Sequence, residues 1–260
     1  MEPLLKVNNI SYRYNDSITT FKNISFNVKR GELFTILGPN GAGKSTLLNC
    51  IAGLFKTTNG DILLDGENID KIPPKKIAQK IAYVPQSSTQ AYGYSVRDYI
   101  VMGRAPHLNM FMMPNTHDYE IVDEAIDMLE INRFSNISYT NISGGERQLA
   151  NIARAIVQQP DLIIFDEPTS ALDYGNQLKI MRIVKKLSNK GYSVIMTTHN
   201  PDHAILLDGN VGILDYDGIL RTGSVKDVMK EDILSKIYRT NLKLIYIEQL
   251  NRMVCVSENL

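Results

Sequence analysis

The strongest constraint on this 260-residue chain is the run Gly38-Pro39-Asn40-Gly41-Ala42-Gly43-Lys44-Ser45, which satisfies G-x-x-x-x-G-K-[ST]. It follows a short apolar stretch at residues 34–37 and precedes the helical pattern Leu47, Leu48, Ile51, so it reads as strand, loop, helix. Glycines let the backbone curl until several N–H groups point at one phosphate, and the helix N-terminus adds its dipole. Lys44 then supplies a cation and Ser45 an oxygen for Mg²⁺. Such a loop also needs a carboxylate at the end of a neighbouring strand.

Asp166-Glu167 follows the apolar run at 162–165 and supplies two carboxylates. Successive strand residues leave in opposite directions, so the pair divides the work: Asp166 toward the Mg²⁺ shell, Glu167 toward an attacking water. Thr197-Thr198-His199 ends the next apolar run and brings an imidazole to the same edge, beyond the carboxyl ends of the strands, where open α/β folds bind ligands. Ser143-Gly144-Gly145-Glu146 has the S-x-x-E spacing of a capping box. The cap accounts for Ser143 and Glu146 and leaves the two glycines to be explained; a second anion site at a helix N-terminus is the expectation.

Short β runs at 34–37, 162–165, 194–198 and 211–214 alternate with helical ones, so the expected fold is α/β, a phosphate-loop NTPase core with a mostly parallel sheet. Val7, Ile10, Ile24, Phe26 and Val28 alternate with polar neighbours, which predicts an N-terminal antiparallel β subdomain. Val122, Ala125, Ile126 and Leu129 fall at i, i+3, i+4, i+7, as do Leu149, Ile152, Ala153 and Ile156, ahead of the helix-stopping Pro160. The expected organisation is one domain over 1–260: a nucleotide-binding core over about 1–86 and 160–225, a helical insert over about 87–159, and a C-terminal extension over about 226–260. In that extension a short helix gives way to a strand carrying Leu242, Leu244 and Tyr246.

Composition narrows the function classes. The 28 basic and 28 acidic residues balance, so no broad positive field exists to collect nucleic acid. Apolar runs fall well short of the roughly 20 residues of a membrane helix, and Met1-Glu2-Pro3-Leu4-Leu5-Lys6 does not read as a signal segment. Cys50 and Cys255 cannot build a disulfide framework or a four-cysteine zinc site, and a reducing cytoplasm is the natural setting.

The phosphate loop, Tyr83-Val84-Pro85-Gln86, Ile142-Ser143-Gly144-Gly145-Glu146, residues 162–168, Ser170-Ala171-Leu172-Asp173 and His199 together resemble, in order and spacing, the motifs of ABC-transporter ATP-binding subunits over about residues 4–225. The resemblance implies an ATPase with ATP and Mg²⁺ as ligands. It implies that Tyr14 stacks on adenine, with Tyr12 as the fallback, and that the loop from Gly38 through Thr46 holds the phosphates. Gln86 looks like the glutamine that contacts Mg²⁺ and water, Glu167 like the general base, and His199 like the switch histidine on the γ-phosphate. Asp173 looks like the residue that communicates across a dimer, and Ser143, Gly144, Gly145 and Glu146 resemble the signature that closes on ATP held by the partner subunit. Ile142 and Glu146 depart mildly from the commoner leucine and glutamine. The implied partners are a second ATPase subunit, transmembrane permease subunits and an extracytoplasmic substrate-binding protein, with the chain peripheral on the cytoplasmic face of the membrane.

A narrower resemblance covers residues 94–108, which look like the corresponding region of importer ATPases for chelated iron, haem and cobalamin, with molybdate and tungstate importers as close relatives. It sits where the family receives a coupling helix from the permease. Met102, Met110, Met112 and Met113 beside His107 and His117 invite a metal-binding reading, but methionine is also the flexible filler of surfaces that accept a partner helix, and that is preferred. An exporter subunit, a soluble ABC ATPase of repair or translation, and a binding module without hydrolysis are the alternatives. Lack of long heptads and of a second phosphate loop weighs against the soluble ATPase. Intact Glu167 and His199 weigh against the binding module.

Overall fold

The computed structural model describes residues 2–15, 18–86, 93–109 and 111–258. The chain opens with two long antiparallel strands, β1 (Leu5–Asn15) and β2 (Ile18–Val28). Buried Val7 and Ile10 lie three apart, as do buried Phe21 and Ile24, which strict alternation forbids. Bulges reconcile them: Asn9 and Asn23 have φ of 49° and 55°, and each bulged N–H is taken by a serine hydroxyl across the ladder, Asn9 N–H on Ser25 at 2.8 Å and Asn23 N–H on Ser11 at 3.1 Å.

Strand β3 (Leu33–Leu37), buried at every position, feeds the phosphate loop and helix α1 (Lys44–Ile51). Next come β4 (Asn59–Leu64) and the short β5 (Glu67–Asn68), which join the first two strands in a sheet of order β2-β1-β4-β5. Helix α2 (Pro74–Lys80) leads into β6 (Ile81–Val84). Three helices follow: α3 (Val96–Val101), α4 (Thr116–Leu129) and α5 (Gly144–Val157). Each starts at a side-chain cap, Ser95, Asn115 or Ser143, and the last two have full capping boxes. The expected apolar faces of α4 and α5 are buried together, and the Arg104–Asp118 ion pair at 2.9 Å ties the start of α4 to the segment before it.

The second half supplies β7 (Leu162–Phe165), α6 (Tyr174–Asn189), β8 (Ser193–Thr198), α7 (Pro201–Leu207), β9 (Asn210–Leu214) and β10 (Leu220–Ser224). The main sheet runs β10-β9-β3-β8-β7-β6, and all neighbours except β10 are parallel. The central parallel strands β3, β7 and β8 are buried at every position because both faces are covered, whereas the edge strand β10 is polar and partly exposed. Leu162 and Ile164 pack toward α1 and the antiparallel sheet, while Ile163 and Phe165 pack toward the helices. This α/β arrangement is the expected one. The consequence is a single functional edge: β3, β6, β7, β8 and β9 all end on the same side.

The chain finishes with α8 (Val225–Val228), α9 (Glu231–Tyr238) and a hairpin of β11 (Leu242–Ile247) and β12 (Arg252–Ser257). The expected strand at Leu242 and Leu244 is present, but it has a partner strand that alternation did not suggest. Those two leucines pack with Met253 and Cys255, whereas Tyr246, at the turn end of the hairpin, is half exposed.

Candidate ATP site

Helix α1 begins differently from the capped helices: no side chain caps it and no acid occupies its first turn. Gly43 stands at its N-cap with φ 96°, a left-handed conformation that bulkier residues resist. The free N–H groups of that turn therefore face a cavity of about 580 Å³ whose lining includes Tyr14, Asn40, Gly41, Lys44, Ser45, Thr46, Gln86 and Glu167. Gly38, Pro39 and Ala42 belong to the same loop, and the Gly38 and Pro39 carbonyls accept from Lys44 Nζ at 2.8 and 2.9 Å.

Lys44 is buried and also pairs with Glu167 Oε1 at 2.9 Å. The other carboxylate oxygen of Glu167 meets His199 Nδ1 at 3.0 Å and accepts from Gln86 Nε2 at 3.5 Å. The His199 hydrogen bond, and after it Lys44, outweigh burial and push the Glu167 carboxyl down to about 2. Glu167 has φ 44°, a strained conformation for a non-glycine residue. It turns the side chain away from the direction of Asp166.

Asp166 points to the other side. Its Oδ1 accepts from Thr197 Oγ1 at 2.8 Å and its Oδ2 from Tyr83 OH at 3.0 Å. The Thr197 hydroxyl in turn accepts the Glu167 N–H at 2.8 Å, so one buried hydroxyl orients both acids. A carboxylate has about four lone-pair sites, which leaves Asp166 acceptor capacity beyond these two bonds. Asp166, the Ser45 hydroxyl and the Gln86 amide oxygen are the hard oxygen donors that suit Mg²⁺.

Tyr14 stands in the cavity wall, its hydroxyl 3.0 Å from Thr46 Oγ1, with the ring largely exposed. Tyr12 instead stacks against Phe21 and Phe55, with centroids 6.1 and 5.6 Å away, behind that wall. Ser143 caps α5 through Glu146, whose carboxylate accepts the Ser143 N–H at 3.0 Å. A Cβ on Gly145 would stand 2.9 Å from the Asn176 side chain, which Asp173 holds at the start of α6; a Cβ on Gly144 would meet open space. Gly145 thus has an internal packing reason, and the ligand argument rests on Gly144. Of the expected site residues, Ser143, Gly144, Gly145, Glu146 and Asp173 are not among those lining the cavity, and neither are Asp166 and His199, which connect to Glu167 through Thr197 and through the Glu167 carboxylate respectively.

Sequence reasoning assigned no role to Thr197 or the Tyr83 hydroxyl, and it missed three residues that line the cavity: Thr19 and Thr20 of β2, and Tyr216 from the turn after β9. Tyr216 follows an apolar strand as Asp166 and His199 do, so strand-end position was the usable signal. The region from 94 to 108 forms part of an apolar groove of about 430 Å³ lined by Tyr94, Val101, Met102, Leu108 and Met113. His107 bonds the Gln158 carbonyl at 2.8 Å and His117 meets Glu120 at 3.3 Å, and the described residues contain no acidic, cysteine or histidine cluster able to hold a metal. Met110 lies outside the described residues. Among the described residues no helix is long and apolar enough to cross a membrane.

A family profile for ABC transporters matches residues 21–170. The molybdate import ATP-binding protein MolC of Haemophilus influenzae is 32% identical over 92% of this chain and 89% of its own length. A protein of Helicobacter pylori described as an iron chelatin transport ATP-binding protein is 33% identical, over 94% and 96%. Among solved structures, a chain described as part of a metal-chelate type ABC transporter in an inward-facing conformation superposes with a TM-score of 0.88 at 29% identity, covering 100% of this chain and 98% of that one. Profile, relatives and superposition agree with one another: the chain belongs to the ABC transporter family, as an ATP-hydrolysing subunit.

Proposed function

We propose that this ATPase drives import of a metal chelate, such as an iron–siderophore complex, haem or cobalamin, through a separate permease, working as a pair of chains on the cytoplasmic face of the membrane. The observation that carries the hydrolytic half is the contact of one carboxylate, Glu167, with both Lys44 and His199 at the mouth of the phosphate loop. The transport half is supported by the similarity to chelate-type transporters and by the apolar groove at 94–113, which fits a permease helix. Molybdate or tungstate is the second reading, favoured by the similarity to MolC.

The chemistry follows from the residues. Phosphates entering the cavity meet the α1 amides and draw Lys44 off Glu167, while Tyr14 offers a ring face to the base. Bound Mg²⁺, held by Ser45, Asp166 and Gln86, would neutralise charge on the phosphates. Glu167 then loses one of the two partners that hold its carboxyl down, so its basicity rises as substrate arrives. It takes a proton from the water whose oxygen bonds to the γ-phosphorus as the bond to the ADP oxygen breaks; His199 steadies the carboxylate and contacts the γ-phosphate. Positioning and charge stabilisation carry the rate in such reactions. Ser143 and Gly144 act on the nucleotide held by the other copy, which fits their place outside the cavity of their own chain. Asp173, at the start of α6, communicates across the pair of chains.

Reconstitution with its permease and binding protein, followed by uptake of labelled siderophore, haem, cobalamin and molybdate, tests the substrate. ATP-dependent accumulation of a chelate supports the first reading, and accumulation of molybdate alone replaces it with the second.

A further inference from the structure

Residues beyond β10 are not a detached tail. Val228, Met229, Leu234 and Ile237 share a core with Ala204 and Ile205 of α7, the helix that starts just after His199. Two hydrogen bonds reach from this extension to either side of the α7 cap: Tyr238 OH donates to the His199 carbonyl at 2.7 Å, and the Cys255 N–H donates to Asp202 Oδ1 at 2.9 Å. Arg239, next to Tyr238, lies over the Tyr216 ring at 4.8 Å, and Tyr216 lines the ATP cavity. The end of α9 therefore touches both the histidine loop and the cavity wall.

The His199 side chain is half exposed, so its own packing does little to fix it. Its backbone is held instead. We infer that Tyr238 is a positioning residue, which pins the His199 carbonyl so that the imidazole stays aligned on Glu167. This rests on the proposed role of His199 in hydrolysis. Burial pushes the Tyr238 phenol up, with the Glu167 charge contributing, so the hydroxyl remains a donor at working pH.

The test is Tyr238→Phe in the full chain, which removes one oxygen, with His199→Ala beside it. A net hydrogen bond is worth about 0.5–1.5 kcal/mol, or roughly two- to tenfold in rate. The expected result is kcat lower by about that factor with KM for ATP unchanged. Amide hydrogen exchange should rise at His199, Asn200 and Asp202 while α9 and the β11–β12 hairpin keep their protection. Wild-type kcat in Tyr238→Phe with an inactive His199→Ala overturns this inference alone. Exchange that rises through α9 and the hairpin also overturns it, because the hydroxyl would then be holding the extension together. Full activity in His199→Ala overturns the site assignment and this inference with it.

Discussion

Lys44 and Glu167 carry the residue-scale account, because each is buried and each is the other's counter-charge. Charged hydrogen bonds contribute about 1.5–3 kcal/mol. Lys44→Ala should therefore weaken ATP binding by about ten- to a hundredfold by titration calorimetry, and unchanged affinity would remove Lys44 from the phosphates. Glu167 also sets a pH dependence. Its folded carboxyl is depressed to about 2 by His199 and Lys44, so the stability it adds is fully present above the unfolded carboxylate range near 4.5 and drains away as pH falls toward 2. In Glu167→Gln the melting temperature should fall less steeply than wild type over that acid window; parallel curves would contradict the ion pair. Much of this site was legible because the loop residues are consecutive and Asp166, Glu167 and His199 each follow an apolar run. Thr197 and Tyr83 were not, because their importance depends on which strands lie side by side, β6 beside β7 and β7 beside β8.

At the scale of elements, the start of α5 separates packing from ligand approach. Gly145→Ala forces a methyl against an Asn176 held by Asp173 and should cost about 1–3 kcal/mol, seen as a lower melting temperature. Gly144→Ala meets nothing within its own chain and should leave the melting temperature unchanged while slowing ATP turnover. Equal thermal loss in both variants would mean that the two glycines serve one internal purpose. The buried strands and the apolar faces of α4 and α5 were readable from pattern, since their partners lie on the same element or on both faces of one sheet. The bulges at Asn9 and Asn23 were not, because a bulge shows only once register is known. The β11–β12 hairpin was half seen: Leu242 and Leu244 alternate, but the pairing of Cys255 with Leu244 needs the turn at Asn251, whose φ is 50°.

For the whole molecule, balanced charge gives no broad positive field, so phosphate capture falls to the preorganised loop at 38–46, and among the described residues no helix is long and apolar enough to cross a membrane. The proposed function needs two copies joined across two nucleotides, because Ser143 and Gly144 lie outside the cavity lining of their own chain and act, in that reading, on the nucleotide of the other copy. The most direct test is the mass of Glu167→Gln in solution with Mg-ATP, measured by light scattering beside its ATP turnover. The account predicts ATP-dependent growth from 29.3 kDa to twice that value, with turnover abolished. A mass that stays at 29.3 kDa with ATP bound, or hydrolysis that survives the substitution, would contradict it.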